Sequence, residues 1–162
     1  MSKTCTIDLS DLERRLDNLN EENRKNALFN SINKGGQELV KDTQRELLRV
    51  LPNAGKGEKY GKPMTKGIKL KKDKAYDEVK VHIMGDYRLK FFEMGTKERY
   101  LKKPLSSKDS SYQYKSGSIN SGGTPFRGRI KAKHFFESAR ENSNMPETIM
   151  NSLTKEIDKL LG

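Results

Sequence analysis

Two histidines, one cysteine and a scatter of carboxylates are what this 162-residue chain offers for chemistry. His82 and His134 stand in no His-x-x-x-His, Cys-x-x-Cys or Gly-x-Ser-x-Gly pattern, so the residue sets for metal-assisted hydrolysis and triad-type acyl transfer are missing. Cys5 is alone, which rules out an internal disulfide and reads as an inert thiol. Glu93 is set in an apolar run, Phe91-Phe92-Glu93-Met94-Gly95-Thr96. General acid–base work needs a second group nearby, and Asp86 is several residues away. A metal-dependent nuclease needs clustered carboxylates, in which the basic middle of the chain is poor. Gly55-Lys56-Gly57 falls short of the phosphate-binding Gly-x-x-x-x-Gly-Lys-Ser/Thr pattern and reads as a plain loop. The expectation is a protein without catalytic residues, metal or cofactor. In that reading Glu93 is structural: its carboxylate accepts backbone N–H groups left unpaired by a turn at Gly95-Thr96.

The elements that must position Glu93 follow from the periodicity. Ser10-Asp-Leu-Glu13 has the capping-box spacing and predicts a short helix to about Leu19. Asn20 can cap a second, long helix from about Glu21 to Val50, with an apolar stripe of Leu28, Ile32, Leu39, Thr43 and Leu47. Gly35 and Gly36 interrupt it, either for close packing or as a kink. Pro52 ends it. Residues 53–66 form a basic, Gly-bearing loop. Three alternating runs follow, Ile68–Lys71, Val79–Met84 and Tyr87–Phe92, with Gly85-Asp86 as the hairpin turn before the third. Ile130–His134 re-enters the sheet. Phe135–Glu141 opens a helix, and Asn144-Met-Pro-Glu147 starts another with Ile149, Leu153, Ile157, Leu160 and Leu161 on one face. The sum is an α+β fold: a mostly antiparallel sheet of about four strands packed by a long N-terminal helix and a C-terminal helix.

One domain is expected from the length, with an insertion at about 104–124. Hydrophobic residues make up 32% and charged residues 34%, so the core is small and neighbouring subunits are expected to contribute stability. The insertion is rich in Ser and Gly. It reads either as a disordered loop or as an arm that orders against a neighbour, with Tyr112, Tyr114 and Ile119 as the contact residues. The second is preferred, because long loops in compact domains are commonly binding elements. No apolar run approaches the roughly 18 residues that span a bilayer, and no signal-peptide core opens the chain. No membrane partner is expected.

The net charge of +11 is unevenly placed. Residues 1–50 are neutral, with 9 basic and 9 acidic side chains; residues 51–134 carry 21 and 8; residues 135–162 carry 3 and 5. The excess in the middle reads either as a face for a polyanion or as a lysine-rich solvated surface. Lys69, Lys71, Lys80, Lys90, Lys102 and Lys103 are the candidate DNA-facing residues.

An aromatic followed by Phe91-x-Glu93-Met94-Gly95-Thr96 resembles the signature of a small head–tail joining, or tail-completion, family of long-tailed phages. The second half of the resemblance is a basic stretch running into a helix start, Arg129-Ile130-Lys131-Ala132-Lys133-His134-Phe135-Phe136-Glu137-Ser138-Ala139. His134 stands where the family commonly has Pro, and about thirty residues separate the halves where the family often has fewer. The resemblance runs from Leu28 onward. It implies a structural virion-assembly protein, made in the host cytoplasm and ending in the virion. Such proteins form rings, commonly sixfold, between the connector or neck and the tail-tube proteins, with DNA passing through the bore. The rival reading is a stand-alone basic nucleic-acid-binding module, supported by tyrosines 60, 76, 112 and 114 among the lysines, but without a recognition helix or aromatic-sheet signature. An RNA-cleaving toxin also suits the size and basicity, but has no acid–base pair here.

Overall fold

The computed structural model describes residues 10–57, 62–100 and 126–161. Cys5, Tyr60, Lys102, Lys103, Tyr112, Tyr114 and Ile119 lie outside these residues.

Helix α1 (Ser10–Asp17) leads through a tight turn to helix α2 (Glu21–Val50), the longest element and the axis on which the rest is hung. Asn20 caps α2 by accepting the Asn23 N–H at 2.8 Å, and Pro52 opens a single turn of 3₁₀ helix past its end. The α2 helix runs unbroken through Gly35-Gly36. A Cβ on Gly35 would stand 2.3 Å from Ile149 Cγ1, and one on Gly36 would stand 2.7 Å from Leu70 Cδ1 and 3.0 Å from Val79 Cγ1. The pair therefore serves close approach on two sides at once.

What Gly36 admits is a β-hairpin of β1 (Lys69–Asp73) and β2 (Glu78–His82), paired antiparallel with Leu70 opposite Val81 and Lys72 opposite Val79. What Gly35 admits is the C-terminal helix α5 (Met145–Leu161), which packs along α2 together with helix α4 (Phe135–Asn142). Between the hairpin and α4 lie helix α3 (Tyr87–Met94) and a second small antiparallel pair, β3 (Arg99–Tyr100) and β4 (Phe126–Gly128).

The expected four-stranded sheet is therefore wrong. Among the described residues there are five α-helices and two separate two-stranded pairs. The error lies at Tyr87–Met94, where Leu89 and Phe91 alternate in sequence with Lys90 and Phe92, although in the structure Phe92 packs on the core and Phe91 is exposed. No β-branched residue occurs there, and Leu, Arg, Lys, Glu and Met all favour a helix over an extended chain. Asp86 is not a hairpin turn residue. It is the N-cap, accepting the Arg88 N–H at 2.9 Å, and Gly95 at φ +74° stops the helix. Nor do residues 130–134 rejoin a sheet; they carry no regular structure and are hydrogen-bonded to Thr96, Phe92 and Glu93 at the end of α3. The α2 stripe is shifted as well. Leu28 is exposed, and the buried line runs through Ala27, Ser31, Gly35, Leu39, Thr43 and Leu47. Ser31 and Thr43 donate their hydroxyls to the carbonyls of Ala27 and Leu39, both at 2.7 Å, which makes their burial tolerable.

Two apolar clusters result. Leu47, Ala54, Ile68, Leu89 and Phe135 join α2, the hairpin, α3 and α4. Ala27, Leu153 and Ile157 join the first half of α2 to α5, with Leu12, Leu16 and Leu19 of the N-terminal segment laid over them. An ion pair between Arg15 and Asp158 fastens that cover to α5. At the far corner the half-buried Ser143 hydroxyl donates to Asp42 at 2.6 Å and accepts the Met145 N–H at 3.1 Å, so α2 fixes the start of α5.

A candidate functional site at the junction of α3 and α4

Helix α4 begins with a defect. Its N-cap residue, His134, sits in the left-handed region at φ +47° and offers no capping side chain, so the first amides of the helix lack a local acceptor. Glu93 supplies it from another element. Its Oε2 accepts the Phe136 N–H at 2.9 Å and its Oε1 accepts the Glu137 N–H at 3.2 Å. These are the second and third residues of the helix, the two amides a normal cap satisfies. The charge also lies at the positive end of the helix dipole.

The exchange is reciprocal. The last turn of α3 leaves carbonyls unpaired, and the Lys133 N–H donates to Phe92 O at 2.7 Å while the His134 N–H donates to Glu93 O at 3.3 Å. One step further out, the Thr96 N–H donates to Ile130 O at 2.9 Å and the Ile130 N–H donates to Thr96 Oγ1 at 3.0 Å. Gly95 makes this closeness possible: a Cβ there would meet the Ala132 N at 2.8 Å, and its φ of +74° already disfavours any other residue. Phe135, the first residue of α4, is buried in the core cluster with Leu89 of α3, Phe136 is packed against that cluster, and Ala139 is buried one turn further along α4.

The structure thus brings Glu93, Gly95, Thr96, Ala132, Phe135 and Phe136 around one joint between α3 and α4, while Ala139 is buried further along α4 and Phe91 is exposed on α3. The donors to Glu93 differ from the expected ones. They belong to α4, some 43 residues on, and not to the Gly95-Thr96 turn. His134 also departs from Pro for a structural reason here. Its N–H is used by Glu93 O, and Pro can neither donate nor reach a positive φ.

Both carboxylate oxygens of Glu93 are occupied by amides, which suits a structural brace. Among the described residues no group of three or more His, Cys, Asp or Glu is placed to hold a metal ion, and no helix is long and apolar enough to cross a membrane.

The candidate basic residues divide into two places. Lys69, Lys71 and Lys80 share the outer face of the hairpin, and Lys71 stands directly opposite Lys80, a like-charge pairing that costs stability. Lys80 is balanced by Glu78 at 2.7 Å. Lys90 lies elsewhere, on α3, at the edge of a groove of about 920 Å³ formed where α3, residues 95–98 and residues 129–132 meet. Met94, Arg129, Ile130 and Lys131, which belong to the two motif stretches, line the same groove with Lys97, and nothing in the sequence pattern assigned them to a shared cleft. The signal was present at helical spacing: Tyr87, Phe91 and Met94 fall at i, i+4 and i+7 of α3, on the side away from Leu89, and remain exposed. The rings of Tyr87 and Phe91 meet edge to face at 6.2 Å.

No protein-family model, curated protein or solved structure matches the chain.

Proposed function

We propose that this chain is a structural virion-assembly protein of a phage or prophage, of the head–tail joining or tail-completion kind, which closes into a ring between the neck and the tail tube. The observation that carries the reading is the Glu93 brace. The two sequence segments that resemble this family are each made of small, apolar and capping residues, and they are joined in space through Glu93, Thr96 and Gly95. These residue types are needed there to hold two helices in a fixed relation, and none of them is placed for catalysis. A rigid joint under an exposed helix face, Tyr87, Phe91 and Met94, is what a subunit needs in order to present the same surface repeatedly. Native mass spectrometry over a concentration series tests the reading. A single closed oligomer, six copies by the family resemblance, is expected; a monomer at all concentrations overturns it.

The outer face of the hairpin supports a second reading, a stand-alone nucleic-acid-binding module. Lys69, Lys71 and Lys80 project from a two-stranded ribbon, an element that duplex grooves admit. Binding carried by these lysines alone falls steeply with salt and ignores sequence. Sequence-selective binding by the monomer, surviving at high salt, decides for the module over the ring.

A further inference from the structure

The groove beside α3 has features that the Glu93 brace does not use. Its described lining carries the apolar Phe91, Met94 and Ile130 together with Lys90, Lys97, Arg129 and Lys131, and Glu98 is the one carboxylate among the described residues there. None of these four cations makes an ion pair with a described residue. Concentrating like charges among apolar side chains raises the local potential, because field lines are focused in a low-dielectric cleft. The groove is also preformed. Its two segments are held by the reciprocal bonds between Thr96 and Ile130 and by the close passage of Gly95 against Ala132. The volume of about 920 Å³ is at the upper end of clefts that enclose drug-sized ligands, roughly 300–1,000 Å³.

We propose that this groove is a docking site for an acidic segment of a partner protein, in which apolar anchors seat against Phe91, Met94 and Ile130 while flanking carboxylates meet Lys90, Lys97, Arg129 and Lys131. Charge complementarity fixes the sign of the partner. The apolar lining fixes its class. A nucleic-acid strand carries a charge at each nucleotide and seeks flat aromatic platforms, whereas Met94 and Ile130 are aliphatic and the Phe91 ring is turned edge to face with Tyr87. A peptide alternating carboxylates with bulky apolar side chains meets both the cations and the apolar lining. The inference concerns the groove alone and holds whether or not the chain forms a ring.

Fluorescence anisotropy with the full chain tests it, using a labelled peptide of Asp and Glu residues around a Phe-x-x-Leu pair. A peptide with Lys in place of the acids and a labelled oligothymidine of equal length serve as rivals. The acidic peptide is expected to bind, the basic peptide not to, and the double variant Lys97→Glu/Lys131→Glu to weaken binding about tenfold at low salt. Phe91→Ser, checked for retained helical circular dichroism, is expected to weaken it as well, which separates anchoring from simple charge attraction. Equal binding of both peptides, or unchanged affinity in the double variant, overturns the proposal. So does oligothymidine binding that displaces the peptide, which would make the groove a nucleic-acid site. A gain in peptide affinity on deleting residues 106–123 would assign the groove to the chain's own segment. An oligomer that falls apart in the double variant without any peptide would assign it to a second copy; either result also overturns the proposal.

Discussion

Replacing Glu93 with Gln keeps the shape of the side chain and removes its charge, which isolates the brace between α3 and α4. In the native protein two amides of the first turn of α4 donate to one carboxylate, at 2.9 and 3.2 Å. A glutamine can accept only one of them, because its NH₂ group faces the other donor. The bond that remains becomes neutral, about 0.5–1.5 kcal/mol in place of about 1.5–3 for a charged acceptor. The Glu137 amide is exposed and turns to water at little cost, but the Phe136 amide is partly buried and keeps at best the weakened bond. Loss of the favourable charge at the helix N-terminus adds about 0.3–1 kcal/mol. The expected destabilisation is about 2 kcal/mol. At about 3 °C per kcal/mol for a chain of this size, the melting temperature should fall by about 6 °C in a circular-dichroism melt. Glu141→Gln makes the same charge change on the exposed side of α4, and should stay within about 0.5 kcal/mol of wild type. If Glu93→Gln melts within about 2 °C of wild type, or no lower than the Glu141 control, the brace carries no energy and the reasoning fails.

Two further changes probe the scaffold beneath the joint. Gly35→Ala gains about 1 kcal/mol of helix propensity but drives a Cβ to 2.3 Å from Ile149 Cγ1, and overpacking of this kind costs about 1–3 kcal/mol. A chemical-denaturation midpoint lower than wild type is expected; a higher one would show that α5 shifts freely along α2. Asp86 caps α3, and the hydrogen bond from Arg88 holds its carboxyl below the usual range, against the opposing effect of burial. A carboxyl with a lowered folded-state pKa contributes its full stabilisation above the ordinary value near 3.9 and loses it as the pH falls through the folded value. Wild type should therefore lose stability more steeply than Asp86→Asn below about pH 4, where the two should converge; parallel acid titrations would show that the Arg88 pair contributes nothing.

Much of the helical frame was legible because its signals are local. Asn20 and Pro52 mark the ends of α2, and the alternation of Leu70, Val79 and Val81 with lysines marks the hairpin. Tyr87–Met94 was misread for a physical reason. Its apolar residues number enough to satisfy both a two-residue and a 3.6-residue period, so alternation could not decide between strand and helix. The cap at Asp86 and the lack of β-branched residues could have decided it. At Glu93 the sequence identified a carboxylate suited to backbone amides and gave it the nearest ones. The true donors start a helix 43 residues later, and their need arises only because His134 adopts φ +47° and cannot cap its own helix, a fact no local pattern records. The groove was invisible for a related reason. Lys90 and Lys97 meet Arg129 and Lys131 only after the Thr96–Ile130 bonds bring two distant segments side by side.

The assembly reading is tested most directly by imaging the purified protein by electron microscopy and sorting the particles by rotational symmetry. Closed rings of one size, sixfold by resemblance, are expected, with an open bore wide enough to pass a DNA duplex. Dispersed single copies at every concentration, or open filaments without closure, would contradict it.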